Sequence, residues 1–440
     1  MNEQIERIGI KEINRLAIPA IMAGITEPLI GLVDTAFIGH IGSSELAAVG
    51  IAASFFSLVI WVLSQTKTAI STIVARSFGS GGLAGIRTLI PQAILLNLLL
   101  GGLFFAATNS LSTWIFEFYG AKGAVLSNAD NYFSIRSSGF PLVLGTYAIF
   151  GVFRGLQNTG WAMVISLIGG GLNLLLDPLL IFGWDGIIPA MGVEGAAYAS
   201  LCAQFAMFGL AIFYLLKRTQ FNLALKFQLH PEIGLLLGMS GNLFLRTMAL
   251  NVAYFLANRF ATVYGDAHIA AHTIAMNIWL FSAFFIDGYA NAGNALSGRL
   301  LGEKNPKAIW MLGKDLCRIS VLISMGLSAF YGIGYFFTAR IFTEDQEVIL
   351  LFNSIYWLVI ITQPVNAIAF AFDGIFKGLG HTAFLRNLLF LGTILVFIPA
   401  IYLGDHLGWQ LHSIWIAFFC WMLIRSGVPA LRFRKHFKPK

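Results

Sequence analysis

Three polar residues stand where an apolar chain has no structural use for them. Asp34, Asn173 and Asp177 lie inside long hydrophobic runs. An ionisable side chain at the centre of an inserting helix costs at least about 2.5–3.5 kcal/mol. Glu27 and Asp34 are seven residues apart, about 700° of helix rotation, so they share one face. Asn173 and Asp177 are four apart and adjacent on another helix. Pro28 and Pro178 follow Glu27 and Asp177, and each proline frees a helical carbonyl. Carboxylates, an amide and free carbonyls are hard oxygen ligands. They suit Na⁺ or a proton and not copper or zinc. A second polar set, Arg246, Asp287, Tyr289, Asn291, Asn294 and Asp373, lies further along; an internally neutralised Arg246–Asp pair fixing helix packing is its simplest reading, and substrate contact or a second coupling site is the other.

The elements that carry these residues follow from composition. The 440 residues are 57% hydrophobic and only 11% charged, with a mean hydropathy of +0.77. A soluble domain carries about 25% charged residues. Such a chain is an integral membrane protein, not a soluble enzyme, nucleic-acid binder or disordered scaffold. In lipid every backbone polar group must pair internally, which leaves helices or closed barrels. The unbroken apolar runs, without strand-like alternation, select helices. Cutting at polar and glycine-rich breaks gives twelve spans, near 13–39, 46–73, 88–110, 128–153, 160–183, 195–216, 233–262, 268–297, 312–337, 348–374, 384–403 and 410–430. Basic residues collect at one set of loops and both ends, and acidic residues at the other. The positive-inside rule then puts both termini in the cytoplasm of a cell (inner) membrane. The net charge of +7 reflects this topology and calls for no nucleic acid. Cys202, Cys317 and Cys420 follow no metal spacing. His268 and His272 are four apart but have no third ligand in register. No GxxxxGK[ST] or HExxH motif supports ATP-driven transport or zinc proteolysis. The N-terminus has no signal-peptide core.

The chain also matches itself at a shift of 223 residues. Arg76 meets Arg299, Pro141 meets Pro364, Gly151 meets Gly374, and Phe153-Arg-Gly-Leu156 meets Phe376-Lys-Gly-Leu379. Basic residues fall on the same side in both halves, so each half holds six spans in a parallel repeat. This predicts an amino-terminal lobe at 1–216, a basic cytoplasmic linker at 217–232 and a carboxy-terminal lobe at 233–440. Two such lobes can rock and open a cleft alternately. The repeat is broken at the polar residues: Asp34 meets Ala257, Asn173 meets Val396, and Asp177 meets Ala400.

The motifs resemble those of the multidrug and toxic compound extrusion (MATE) transporters. GITEPLIGLVDTAFIGHIGSSELAAVGIA near the start carries the likeness, with FRGLQNTG at 153–160, LNLLLDPLLIFG at 172–183 and GVEGAAYAS at 192–200. Glu27-Pro-Leu29 before Val33-Asp-Thr-Ala36 resembles the DinF-like branch. The resemblance implies an antiporter exporting organic, often cationic and lipophilic compounds against H⁺ or Na⁺. It implies a cation site at Asp34, Asn173, Asp177 and Ser200, serine standing where the family has threonine. It makes a second-lobe site of the NorM type doubtful, because the seventh span offers Arg246 and the tenth Asn366. No cofactor beyond the coupling ion is implied. The expected partners are small organic substrates and membrane lipids, with the protein a monomer and not an enzyme. A flippase for a lipid-linked saccharide or other amphiphile is the alternative. Such a protein would line its cavity with several cations to hold pyrophosphate.

Overall fold

The computed structural model describes residues 8–184 and 187–439, without the side chain of Glu27. Its elements are helices, as the hydrogen-bond constraint of lipid requires. Eleven helical segments among the described residues are long and apolar enough to cross a membrane. They are Ile10–Ile38, Ser43–Gly79, Leu83–Phe118, Gly160–Ile181, Gly192–Arg218, Ile233–Tyr264, Asp266–Gly302, Pro306–Ile333, Gln346–Gly378, Thr382–His406 and Leu411–Phe437. The twelfth comes fourth in order and is made of two pieces, Gly123–Ser137 and Phe140–Gly155. The break falls at Ser138-Gly139, ahead of Pro141, where the Ser138 and Gly139 N–H groups bond only three residues back, to the Ile135 and Arg136 carbonyls. Spans are numbered first to twelfth in chain order below.

The ends of the spans are set by local chemistry. Asn305 caps the ninth span, its side chain accepting from the Ala308 N–H at 3.0 Å, and Pro306 occupies the first turn. Asp345 caps the tenth by accepting from the Glu347 N–H at 2.9 Å. The tenth stops at Gly380, whose φ of +78° lets the His381 N–H reach back to the Phe376 carbonyl. Gln157 takes the same left-handed conformation after the fourth span, at φ +63°.

Helix starts carry the repeat directly. Ile10 and Ile233, Ser43 and Asp266, Leu83 and Pro306, and Gly123 and Gln346 each begin spans 223 residues apart. Packing carries it too. Gly151 and Gly155 let the fourth span lie against the second, since a β-carbon at Gly151 would strike the Lys67 carbonyl and one at Gly155 would strike Val74. Their mates Gly374 and Gly378 do the same for the tenth span against Ala290 and Ser297 of the eighth. All four contacts are related by the one shift. This is close helix packing through a small-xxx-small motif, and it explains why these glycines are shared between halves.

The chain divides into two compact units, one of residues 22–237 and one of residues 8–21 with 238–439. The cuts fall inside the first and seventh spans rather than at a connecting loop. In the first unit the basic segment ahead of the seventh span is anchored. Gln92 donates to the Lys226 and Gln228 carbonyls and accepts from the His230 N–H, and Arg76 pairs with Glu232 at 2.7 Å. In the second unit Arg299, the repeat mate of Arg76, pairs with Glu12 at 2.6 Å, and Tyr289 donates to Asn14. Ile13, Leu16 and Ala17 are buried there with Leu296, Leu312 and Phe376. The head of each half's first helix is thus held by the other half's sequence.

If Gly374 sets the approach of the tenth span to the eighth, Gly374→Ala should lose about 1–3 kcal/mol of stability or more through overpacking. Gly171→Ala, at a position with open space around it, should lose nothing. Thermal unfolding of the two purified variants in one detergent compares them.

Candidate functional site

In the first unit, four spans bring five polar side chains together. Asp34 comes from the first span, Tyr132 from the first piece of the fourth, Asn173 and Asp177 from the fifth, and Ser200 from the sixth. All are buried, with Asp34 at 1% and Asp177 at 0% exposure. Asp34 is the hub. Its Oδ2 accepts from the Ser200 hydroxyl at 3.1 Å and from the Tyr132 hydroxyl at 3.2 Å, and its Oδ1 accepts from Asn173 Nδ2 at 3.3 Å. The same Nδ2 lies 3.2 Å from Asp177 Oδ1 and 3.3 Å from Ser200 Oγ. An amide has two hydrogens, so Asn173 cannot satisfy all three oxygens at once. Asp177 Oδ2 and Asn173 Oδ1 are buried without a hydrogen-bond partner. Arg136, one helical turn beyond Tyr132, places a guanidinium 4.5 Å from the Phe56 ring and acts electrostatically on Asp177.

The structure therefore brings Asp34, Asn173, Asp177 and Ser200 together, with Tyr132 added. Glu27 lies in the first span, but its side chain is outside the described residues. Tyr132 escapes a reading by residue type, since a lone tyrosine in a span is ordinary packing. The repeat holds its signal: 223 residues on stands Ile355, which has no hydroxyl. Chemically the pocket is a set of oxygens around two carboxylates. Two full negative charges in one dry pocket repel, and a proton or a small cation relieves that repulsion.

The second unit holds its buried charge differently. Arg246 of the seventh span meets Asp373 of the tenth at 2.7 Å, and Lys377 meets the other oxygen of Asp373 at 2.6 Å. Asp287 is not paired with Arg246 but accepts from Asn291 at 2.9 Å. Lys377 is an addition to the predicted set. It reads as a loop cation because it stands near the end of a span, yet it is four residues after Asp373 and turned inward on the same helix face. The first-half mates of Arg246 and Asp373 are Ala23 and Phe150, so this network also belongs to one half only.

Ion occupancy of the first pocket should register as stability. Wild-type protein should gain about 2.7 kcal/mol when the coupling ion is at a hundred times its dissociation constant. Asp34→Asn and Asp177→Asn should remove that gain, and Tyr132→Phe should weaken it by about 1 kcal/mol. Melting scans against Na⁺ concentration and pH measure all four proteins. In the second unit, Asp373→Asn removes the carboxylate that Arg246 and Lys377 both meet and should destabilise by about 3–5 kcal/mol. Adding Arg246→Met to that variant should recover part of the loss in the same scans.

The arrangement has relatives. The MatE family profile matches residues 19–179 and again 243–403, once in each half of the repeat. The chain is 27% identical to Protein DETOXIFICATION 42 of Arabidopsis thaliana over 483 residues, covering 97% of this chain and 92% of that protein. It is 26% identical to DNA damage-inducible protein F of Escherichia coli (strain K12) over 439 residues, covering 97% and 93%. A crystal structure of MATE in the bent conformation superposes with a TM-score of 0.89 at 24% identity, over 97% of this chain and 95% of that one, and so shares the fold. Two matched repeats, twelve spans and full-length relatives place this chain in the MatE family of multidrug efflux transporters, as a multi-pass membrane protein.

Proposed function

We propose that the protein is a secondary antiporter that exports small organic compounds in exchange for H⁺ or Na⁺, with the Asp34 pocket as its coupling site. One observation carries the reading. Two buried carboxylates, Asp34 and Asp177, converge on a single amide, with further oxygens unpartnered, at positions where the other half of the repeat is apolar. A polar glue between spans would gain little from two carboxylates. Interhelical hydrogen bonds in membranes average only about 0.6 kcal/mol.

In this reading Asp34 takes the ion, Asn173 and Asp177 complete its oxygen shell, and Ser200 and Tyr132 hold the Asp34 carboxylate in place. Glu27 shares the Asp34 face of the first span and belongs to the same set. The ion acts by favouring one arrangement of the two repeats over the other, since equal affinity for both would shift nothing. The distribution of basic residues supports a cell-membrane protein with both termini in the cytoplasm. Lipophilic compounds, often cationic, fit an aromatic-rich chain, through dispersion and cation–π contacts. The Arg246–Asp373–Lys377 network serves chiefly to stabilise the second half. The flippase alternative would need a cavity lined by several cations to hold pyrophosphate, whereas Arg246 and Lys377 are both held by Asp373.

Transport in proteoliposomes with ΔpH and ΔNa⁺ imposed separately tests the proposal. One of the two gradients should drive accumulation of a lipophilic dye cation, and Asp34→Asn should fall to the level of protein-free liposomes. Undiminished transport in Asp34→Asn, or transport indifferent to both gradients, would overturn it.

A further inference from the structure

We infer that a groove on the second unit, between the ninth, tenth and twelfth spans, binds an anionic phospholipid of the surrounding bilayer. The groove has a volume of about 490 Å³. Its floor is aromatic. Phe433 stacks on Trp310 with ring centres 5.7 Å apart, and Phe372 meets Phe433 at 5.4 Å. Gly313 makes this floor, because a β-carbon there would strike the Phe433 ring. Val321 and Leu322 extend the apolar surface along the ninth span.

Three cations, Lys314, Arg318 and Arg434, line the same groove, and no acidic residue does. Lys314 and Arg318 are four apart on the ninth span and share a face, while Arg434 comes from the twelfth. All three are exposed, and none has an ion-pair partner among the described residues. Their depth matters. The ninth span is about 42 Å long against a hydrocarbon core of roughly 30 Å, and Arg434, three residues from the end of the twelfth span, lines the same groove. With the about 12 Å excess at this end, Lys314, about 12 Å from Pro306, falls near the interface. Arg318 lies one turn deeper. Cations at that depth, above an aromatic floor, match a phosphate headgroup with an acyl chain beneath it. A cationic compound would be repelled by the rim, and a small soluble anion would leave the floor uncovered. The site is separate from the Asp34 pocket and does not depend on the antiport reading.

The test uses full-length protein in a neutral detergent, titrated with dioleoylphosphatidylglycerol or dioleoylphosphatidylcholine and read by native mass spectrometry. Phosphatidylglycerol should be retained at least about tenfold more tightly than phosphatidylcholine. The triple variant Lys314→Gln, Arg318→Gln, Arg434→Gln should lose that preference while melting as the wild type does in lipid-free detergent. The charge-keeping pair Lys314→Arg, Arg434→Lys should retain it. Leu322→Trp, at an exposed groove position, should weaken retention by filling the acyl path. Equal retention of the two lipids, or an unchanged preference in the triple variant, would overturn the site. Displacement of the lipid by millimolar glycerol 3-phosphate would show an anion site without a chain and would overturn the phospholipid assignment.

Discussion

A charge sunk among apolar helices has to be met by a donor, an opposite charge, a proton or an ion, because lipid supplies none of these. The two halves of this chain meet that requirement in opposite ways. In the first, Asp34 and Asp177 face hydroxyls and one overcommitted amide, so the pocket keeps unanswered oxygens. In the second, Asp373 is bracketed by Arg246 and Lys377. The first arrangement leaves negative charge that a proton or a small cation would relieve. The second sets two cations on one carboxylate, and removing one member of such a buried pairing is costly.

The repeat is what allows such a division. Gly151 and Gly155, and their mates Gly374 and Gly378, press the fourth span onto the second and the tenth onto the eighth. These contacts press the paired spans together at matching positions in both halves, and in the second half Ser297 Oγ also donates to the Ile375 carbonyl. Positions outside these contacts are then free to differ, and Asp34, Asn173 and Asp177 stand opposite Ala257, Val396 and Ala400. A common scaffold with unlike interiors leaves one half with two buried carboxylates on a single amide and the other with a charge network built on Asp373. The heads of the first and seventh spans, held by Arg299 and Arg76 in turn, give the two halves matching anchors.

Much of this is legible without coordinates, and the reasons are physical. Span number, span order and the 223-residue shift are backbone-level signals, because long apolar runs and close-packed glycines leave little freedom. Asp34, Asn173 and Asp177 are legible because charge in a span is expensive and their repeat mates lack it. Ser200 is not legible by cost, since a serine hydroxyl can bond to its own helix; it comes from the likeness of the motif alone. Tyr132 is hidden by the ambiguity of an aromatic alcohol. Lys377 is hidden by its place near a span end, where cations usually face water, until Asp373 one turn earlier is seen to turn it inward. The fourth span reads short, from 128 to 153, because the polar residues of Gly123–Ser137 dilute its apolar character and Ser138-Gly139 interrupts it.

The proposed exchange of a proton or Na⁺ at the first pocket can be tested at the carboxyl groups themselves. Infrared difference spectra of the reconstituted protein, recorded across a pH step and across a Na⁺ step, report gain or loss of a protonated carboxyl band. Wild type should show such a band in at least one step, and it should vanish or shift in Asp34→Asn and Asp177→Asn while persisting in Asp287→Asn. Identical spectra in wild type and both pocket variants would mean that these carboxylates exchange nothing, and the coupling role assigned to Asp34 would fall.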